Sequence, residues 1–439
     1  MHFRENIDNR VQQVKMPENL AVGMMVRAQR EKCQDLQCPF DYYSFAFGES
    51  PFQVPRELSQ ALADHSTAGG YTEPGGIEKL KRAAADFYNR HFSLNVEAER
   101  VIVGPGTKSL FYMVFSMLTG EYIIPVPSWI GYTPQLDLLN RKWHTIELLP
   151  ENDYKLQPVQ LKQFLESHPG TFFTLILNSP HNPTGNVYSQ GELEALAAVC
   201  RSYGVAVLSD EIYALTTYDF DSYSSMAAVY PEGALLTGGL SKDRSSGGYR
   251  LGILVLPEEC PEELRFGLEK IAATIYTSVT TPIQHAAVKA YTESSEIDQY
   301  LHTTRSIHKL IGQKLSERFA RIPGIKATRP TGGFYFLTDF NELKGNMLKK
   351  GISTSNDLGK ALIAHPHHIA VVTGDALVVP PDNYSARIAF VDYDGPAAYK
   401  EYLSSTPATK KDEESFFTRH ASRMIEGVEA LEQFIGTLS

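Results

Sequence analysis

A lysine and an arginine eight residues apart carry the strongest chemical signal in this sequence. They lie in TGGLSKDRSSGGYRLG (237–252), where Lys242 follows Ser241 and Arg250 comes soon after a pair of glycines. A lysine among small and hydroxylic residues is suited to react as an amine with a carbonyl group. An arginine offers a planar pair of donors to an anion such as a phosphate. The segment therefore predicts a carbonyl compound bound beside an anion site.

Other short stretches hold polar or aromatic residues that a planar ligand could use. Asn182 lies in the turn NSPHNPTG, and Asp210 and Tyr213 belong to SDEIY. A turn asparagine and a helix-capping aspartate are the ordinary interpretations of these residues. An aspartate that ends a buried strand can instead hold a buried cation, and Trp129 in VPSWIGY can stack on a flat ring. Arg387, in the alternating segment YSARIAFV, would be costly to bury unless it met an anion.

These residues follow a series of apolar segments that alternate with helical ones. RVIV, YIIPVP, FFTLILN, VAVLSD, ALLTGG and LGILVL are typical of strands, and QGELEALAAVCRSYG (190–204) is typical of a helix. Strands that are apolar throughout predict an α/β fold with a mostly parallel sheet, here of seven strands, between layers of helices. Ligands of such sheets bind beyond the carboxyl ends of the strands. The residues that follow strand ends, and that we therefore expect to converge, are Gly106, Thr107, Trp129, Asn182, Asp210 and Lys242.

The chain divides into an arm, a large unit and a C-terminal unit of different character. Residues 1–50 mix short apolar groups with charges, and residues 51–315 carry the alternating strands and helices. Residues 316–439 hold GGFYFLTDF, IAVVTGDALVV and a last helix with a single apolar stripe. We expect a large α/β domain at 51–315 that holds the ligand. A smaller α+β domain would combine the N-terminal arm with 316–439.

Charge and composition argue against several classes of function. The chain has 439 residues and a formal net charge of −10, which is unsuited to binding the phosphates of a nucleic acid. No window approaches the ~18 consecutive apolar residues of a membrane span. The polar start MHFRENIDNR lacks the apolar core of a signal peptide. We therefore expect a cytoplasmic protein without nucleic-acid or membrane partners.

Two groups of potential metal ligands are weak signals. Cys33 and Cys38 have no second Cys/His pair at a matching distance, and the four cysteines are too scattered for a disulfide framework. HPHH at 365–368 has no carboxylate or cysteine nearby. We therefore expect free thiols, a surface turn at HPHH and no metal site.

In their order and spacing these motifs resemble the class I/II aminotransferases, which are fold-type I pyridoxal-phosphate enzymes. SKDRSSGGYRLG is similar to the lysine segment of that family, and NSPHNPTG and SDEIY are similar to two further segments. The similarity extends from about Gly48 to Arg387. The resemblance implies pyridoxal 5′-phosphate as cofactor, an amino acid and a 2-oxo acid as substrates, and a homodimer with shared active sites.

The resemblance also implies a role for each matching residue. Lys242 would bind the cofactor covalently and, once freed, carry a proton during the reaction. Asp210 would pair with the pyridine nitrogen, and Asn182 and Tyr213 would donate hydrogen bonds to the phenolic oxygen of the ring. Trp129 would stack on the ring. The implied phosphate contacts are Gly106, Thr107, Lys108, Ser241, Arg250 and, from the neighbouring subunit, Tyr71.

For the substrate, the resemblance implies that Arg387 clamps the α-carboxylate, with Asn182 and the backbone at Gly48 beside it. Lys108 falls where bacterial aspartate and prephenate aminotransferases place a lysine for a distal carboxylate. This position predicts aspartate or glutamate as the amino donor. A lysine that serves only the phosphate or the solvent is the alternative interpretation.

Two questions stay open at this point, one about a phosphate ligand and one about the reaction. Many family members carry a serine three residues before the lysine, whereas this chain has Gly239 there, and Ser241 is the candidate replacement. A lyase for C–S bonds, or another amino-acid lyase on the same fold, would share all of these residues. A non-catalytic regulator is disfavoured because the chain is acidic and has no basic helix-turn-helix extension.

Overall fold

Strands and helices alternate through most of the computed structural model, which describes residues 6–14, 18–35, 42–364 and 366–438. The strands are β1 (Tyr43–Ser44), β2 (Val101–Gly104), β3 (Glu121–Val126), β4 (Trp143–Glu147), β5 (Phe173–Asn178), β6 (Ala206–Asp210), β7 (Ala234–Gly239), β8 (Gly252–Val255), β9 (Lys326–Ala327), β10 (Tyr335–Asp339), β11 (Ile369–Ala370), β12 (Val372–Thr373) and β13 (Ser385–Ala389). The α-helices are α1 (Asn9–Gln13), α2 (Glu18–Asp35), α3 (Arg56–Asp64), α4 (Glu78–Phe92), α5 (Thr107–Met117), α6 (Thr133–Leu138), α7 (Pro158–Glu166), α8 (Gln190–Tyr203), α9 (Met226–Val229), α10 (Glu262–Ile275), α11 (Thr281–Tyr291), α12 (Ser295–Phe319), α13 (Lys344–Lys349), α14 (Ser355–Ile363), α15 (Gly395–Ser404), α16 (Lys410–His420) and α17 (Ser422–Leu438).

A central sheet has the strand order β2-β8-β7-β6-β5-β3-β4. Its strands run parallel except β8, which pairs antiparallel with both β2 and β7. Successive residues of one strand face opposite cores: Val207 packs in the cluster with α4, α8 and α11, and Leu208 in the cluster with α5 and α10. The sheet is therefore buried on both faces, which confirms the predicted seven-stranded α/β architecture.

Local sequence explains where the covering helices begin and end. Helix α8 starts at a capping box in which Ser189 and Glu192 satisfy each other's backbone N–H groups, and it ends at Gly204 with a left-handed φ of +65°. Strand β4, which has no apolar run and was not predicted, is an edge strand of mixed polarity with only Ile146 buried. An edge strand with one half-exposed face gives no continuous apolar run, so its signal is weaker.

A second, antiparallel sheet with the order β12-β13-β10-β9 lies in the C-terminal part of the chain. The parallel pair β1–β11 joins the N-terminal arm to this part, as expected for a smaller α+β unit. Helix α12 has 25 residues, about 37 Å at 1.5 Å per residue, and contacts β9 and β10. The boundary expected at residue 315 falls inside α12, so the division into 1–50, 51–315 and 316–439 stays a prediction.

Within the described ranges, no helix is long and apolar enough to cross a bilayer. The same residues bring together no cluster of three His, Cys, Asp or Glu side chains able to hold a metal. Cys38, His365 and the side chain of Cys33 lie outside the described residues. The surface turn expected at HPHH is only partly correct, because Pro366 is exposed whereas His368 is buried with a φ of +53°.

Candidate active site

The carboxyl ends of the parallel strands open into a cavity of about 310 Å³. Because neighbouring parallel strands end at the same edge of the sheet, residues that follow them meet there despite their distance in sequence. The expected residues that line the cavity are Gly48, Thr107, Lys108, Trp129, Asn182, Asp210, Tyr213, Ser241, Lys242 and Arg250. Of the six strand-end residues expected to converge, Thr107, Trp129, Asn182, Asp210 and Lys242 line this cavity, and Gly106 is not among its lining residues.

Asp210 is the last residue of β6 and is only 3% exposed. Tyr132 Oη donates a hydrogen bond to its Oδ2 at 2.6 Å, and the backbone N–H of Ile212 donates to Oδ1 at 3.3 Å. Burial raises the pKa of Asp210 to about 6, although both hydrogen bonds and the charge of Lys242 act in the opposite direction. A buried carboxylate of this kind is stabilised by a cationic ligand group placed against it.

Lys242 lies in the loop 241–250, here called the lysine loop, directly after β7. Its Nζ donates to the carbonyl oxygen of Gly48 at 2.8 Å. The rings of Tyr213 and Phe334 each have their centroid 5.7 Å from the same nitrogen. Aromatic faces at this distance attract an ammonium group, so the lysine is held by a carbonyl and two rings and points into the cavity.

Tyr213 and Tyr335 connect the two sides of the cavity. Tyr213 Oη donates to Tyr335 Oη at 3.0 Å, and Tyr335 Oη donates in turn to the carbonyl oxygen of Gly48 at 3.3 Å. Burial, with a further contribution from Tyr335, holds the pKa of Tyr213 well above its usual value. Tyr213 is therefore a protonated hydrogen-bond donor at neutral pH.

Arg387 lies on β13 behind the cavity lining and is 1% exposed. Its Nη1 donates to Asn182 Oδ1 at 3.3 Å, and its Nη2 donates to the carbonyl oxygen of Ala46 at 2.6 Å. The guanidinium also lies 4.5 Å from the ring centroid of Tyr335. Because arginine can only donate, the oxygen of Asn182 must face it, and the NH₂ of Asn182 is turned away from it.

The start of helix α5 forms a cradle with Arg250. Gly106 caps the helix with a φ of +87° and no side-chain cap, and Thr107 is the first helical residue. A Cβ at Gly106 would lie 2.4 Å from Nη2 of Arg250, so only glycine lets the guanidinium come this close. A free helix N-terminus beside an arginine is the arrangement that receives a phosphate.

The structure explains the glycine at position 239. A Cβ there would lie 2.7 Å from the backbone oxygen of Leu251, just before the neighbouring strand β8, which leaves no room for a serine. Ser241, two residues later, lines the cavity near the cradle. The missing hydroxyl at Gly239 is thus a consequence of close backbone packing.

Lys108 and Tyr71 occupy different surroundings. Lys108 Nζ lies 5.1 Å from the ring centroid of Trp129, at the cavity. The ring of Trp129 in turn meets Tyr132 edge-on, with centroids 5.2 Å apart. Tyr71 is 89% exposed and is not among the residues that line the cavity of its own chain. Within one chain, Tyr71 is therefore not brought to the site.

Six residues that line the cavity were not predicted from the sequence, namely Glu49, Tyr132, Asn178, Ile212, Gly247 and Tyr335. Three of them make side-chain hydrogen bonds within the site. Tyr132 stands three positions after Trp129 and hydrogen-bonds Asp210. Asn178 ends β5; its Oδ1 accepts the backbone N–H of Asn182 at 2.7 Å and its Nδ2 donates to the Asp210 carbonyl at 2.8 Å. Its place at a strand end was the available signal. Tyr335 gave none, since it belongs to a strand of the other sheet.

Comparison with known proteins shows the family of this chain. The family profile of aminotransferase class I and II matches residues 41–393. The aspartate aminotransferase of Geobacillus stearothermophilus is 30% identical over 360 residues, which are 80% of this chain and 88% of that protein. The aspartate/prephenate aminotransferase of Thermus thermophilus is 28% identical over 339 residues, which are 76% and 84% of the two chains.

Solved structures share the fold. The aspartate aminotransferase of Thermus thermophilus with maleate superposes with a TM-score of 0.77 at 24% identity, over 96% of this chain and 99% of that chain. An alanine aminotransferase from Pyrococcus furiosus gives a TM-score of 0.80 at 21% identity, over 98% and 100%. The chain therefore belongs to the class I and II aminotransferases and is an enzyme that transfers an amino group between an amino acid and a 2-oxo acid.

Proposed function

We propose that this aminotransferase uses pyridoxal 5′-phosphate and takes aspartate or glutamate as its amino donor. The observation that carries the proposal is the meeting of three groups at one cavity: the buried carboxylate of Asp210, the amine of Lys242 and the cradle of α5 with Arg250. They match a basic ring nitrogen, an aldehyde and a phosphate. The donor set thus fits all three polar parts of the cofactor.

When bound, the cofactor supplies an aldehyde that takes up an amino group and a protonated ring that accepts electrons from the substrate. Lys242 would hold the aldehyde through its Nζ, and the same amine, when free, would carry the proton of the substrate's Cα. Asp210 would keep the ring nitrogen protonated, because a buried carboxylate favours a cation beside it. Asn182 Nδ2 would donate a hydrogen bond to the phenolic oxygen of the ring, and Tyr213 Oη would do so by turning its single proton from Tyr335 Oη to that oxygen.

The remaining contacts fix the position of the cofactor. Trp129 lines the cavity, so its indole would offer a flat face on which the cofactor ring can stack. The phosphate would be received by the helix start at Gly106, Thr107 and the backbone of Lys108, together with Ser241 and Arg250. The side chain of Lys108 is left for the distal carboxylate of the substrate. A backbone N–H cradle with one arginine favours a dianion.

Arg387 is proposed to bind the α-carboxylate of the substrate. Its guanidinium is already oriented by Asn182, the carbonyl of Ala46 and the ring of Tyr335. A preoriented arginine loses little freedom on binding, so it can contribute to affinity. The backbone of Gly48 lies at the same wall of the cavity.

A homodimer is proposed because Tyr71 is exposed on its own chain and would reach the phosphate of a neighbouring subunit. Light scattering should then give twice the chain mass of 48.9 kDa. A monomer with full activity would contradict shared sites.

The decisive test of the reaction is a half-reaction with a panel of amino acids. The enzyme loaded with pyridoxal phosphate should lose its yellow absorbance with aspartate or glutamate, and one equivalent of the matching 2-oxo acid should appear. Release of ammonia or a thiol together with pyruvate would indicate a lyase instead. If no amino acid removed the absorbance, the proposal would be wrong.

Lys108 tests the substrate assignment. We expect Lys108→Ala to raise KM for aspartate about tenfold and to leave KM for alanine within about twofold, since only aspartate has a distal carboxylate. Lys142→Ala is the matched control, because Lys142 is exposed and pairs with Glu121. Equal effects on both substrates would show that Lys108 serves the phosphate or the solvent.

A further inference from the structure

A chain of hydroxyl groups joins the lysine loop to residues 48–53, here called the rim segment. Ser50 Oγ lies 2.6 Å from Ser245 Oγ, and Ser245 Oγ lies 2.6 Å from Tyr300 Oη. Tyr300 Oη lies 2.8 Å from the carbonyl oxygen of Gln53. This chain of hydroxyl groups therefore starts at Ser50 in the rim segment and ends at Gln53 in the same segment.

The direction of the three hydrogen bonds follows from counting protons. The Gln53 carbonyl can only accept, so the single hydroxyl proton of Tyr300 goes to it. Ser245 must then donate to Tyr300, and Ser50 must donate to Ser245. Each hydroxyl gives its proton to the next group, so each of the three bonds has one donor and one acceptor. Such an aligned series of hydrogen bonds is cooperative.

Ser245 links this chain to the reactive lysine. It lies three residues after Lys242 in the lysine loop and has a φ of +51°. Glycine adopts this left-handed backbone most readily, so the backbone alone gives no reason for a side chain here. The side chain of Ser245 is instead accounted for by the two hydrogen bonds that its hydroxyl makes, with Ser50 and Tyr300.

The rim segment in turn forms part of the cavity wall. Gly48 and Glu49 line the cavity, and the carbonyl oxygen of Gly48 accepts the hydrogen bond from Lys242 Nζ at 2.8 Å. Further along, Phe52 is 6% exposed and meets the ring of His308 edge-on at 5.1 Å. The segment is thus held by an aromatic contact at one end and by the hydroxyl chain against the lysine loop.

We propose that Ser50, Ser245 and Tyr300 are positioning residues that fix Gly48 and Glu49 over Lys242 and thereby set the fit of the substrate. None of the three lines the cavity, so they act through the rim segment. The expected change in KM rests on the proposed function, whereas the expected loosening of the rim segment does not.

Kinetics of Tyr300→Phe and Ser245→Ala test the first consequence. Each variant should raise KM for the amino donor about five- to tenfold and leave kcat within about twofold, because the chemical groups are untouched. Tyr399→Phe is the control: its ring packs 5.6 Å from that of Tyr300, but its hydroxyl is outside the chain. An unchanged KM in both chain variants would overturn the proposal.

A double variant and a glycine variant separate the hydroxyl chain from general packing. The double variant Ser50→Ala with Tyr300→Phe should raise KM no more than either single change does, because one break already disconnects the chain of hydroxyl groups. Ser245→Gly should resemble Ser245→Ala, although it relaxes the backbone. Additive effects, or a glycine variant with the KM of the unsubstituted enzyme, would contradict the proposal.

Limited proteolysis of the cofactor-free protein tests the structural consequence without any substrate. Chymotrypsin should cut after Phe47 or Phe52 about fivefold faster in Tyr300→Phe than in Tyr399→Phe, because the rim segment opens more often. Equal cleavage rates would overturn the proposal. Faster cleavage in a protein that failed the half-reaction would leave the positioning role standing and refute the proposed function.

Discussion

Two walls of the cavity are built in different ways. One, here called the sheet wall, holds Asn182, Asp210 and Lys242 at the ends of β5, β6 and β7. These strands are neighbours in a sheet buried on both faces, so the three side chains are fixed relative to one another. The sheet wall carries the groups that would hold and activate the cofactor.

The other, here called the rim wall, is formed by Gly48 and Tyr335 and is backed by Arg387. Its members come from the N-terminal arm and from two strands of the antiparallel sheet. Gly48 and Tyr335, which are in hydrogen-bond contact, are more than 280 positions apart in the sequence. They offer a carbonyl, a hydroxyl and a guanidinium, which can orient a substrate but not activate it. We therefore expect changes in the sheet wall to lower kcat, and changes at Gly48 or Arg387 to raise KM. Tyr335 is the exception, because its hydroxyl accepts a hydrogen bond from Tyr213 and so connects the two walls.

The largest expected effect belongs to the sheet wall. Lys242→Ala removes the only amine that the proposal allows to hold the aldehyde, so kcat should fall at least about 1000-fold, equivalent to about 4 kcal/mol. Lys289→Ala, an exposed lysine on α11, is the control. A Lys242→Ala enzyme that still held the cofactor covalently would show that Lys242 is not the residue that holds the aldehyde, and the role assigned to the sheet wall would be wrong.

Glu211 sharpens the comparison, because it adjoins Asp210 but faces the core. Its carboxylate accepts hydrogen bonds from Ser209, Ser225, Tyr223 and the backbone of Met226. Burial raises the pKa of Glu211 to about 7 from its usual 4.5. Since the folded pKa is the higher one, the stability that this group contributes is fully present below pH 4.5 and is lost as pH rises to 7.

Ionisation of Glu211 should lower the free energy of unfolding by up to about 3 kcal/mol between pH 4.5 and pH 7. In Glu211→Gln this decrease should be absent. Urea unfolding of the cofactor-free protein at several pH values measures this slope. Glu259→Gln, an exposed change, should leave the slope as it is. An unchanged slope in Glu211→Gln would mean that Glu211 ionises normally in the fold.

Arg387→Lys probes the rim wall. A lysine keeps the charge but cannot form two parallel hydrogen bonds with a carboxylate, so KM for amino and oxo acids should rise about 30-fold, equivalent to about 2 kcal/mol. The kcat should change much less. A fall in kcat with an unchanged KM would reverse the assignment of the two walls.

Tyr335→Phe has the smallest expected effect and tests the link between the walls. The ring beside Arg387 remains, so KM should stay within about twofold, while loss of the hydroxyl releases Tyr213 and should change kcat about three- to fivefold. Steady-state kinetics with one amino donor suffice. A rise in KM alone would mean that Tyr335 acts only on the substrate side.

Much of the sheet wall was predictable because its signals are local. Uninterrupted apolar runs gave most strands of the central sheet, and the residue types just after them gave Asp210, Asn182 and Lys242. Strand β4 was missed because its mixed sequence WHTIE, at the edge of the sheet, contains no apolar run. Gly239 was noted as a departure, but its cause, the backbone of Leu251, lies in a different strand region and leaves no local trace.

The sequence by itself determined the order of the strands along the chain, the reactive residue types at their ends and the family to which these motifs are similar. Only the tertiary structure decided which distant groups meet them. Tyr132 on Asp210, Tyr335 on Tyr213 and the hydroxyl chain through Ser245 depend on contacts between residues that are far apart in sequence. The physical reason is that hydrogen bonds and side-chain packing act over a few ångströms in space, whereas spacing and periodicity report only on neighbours along the chain.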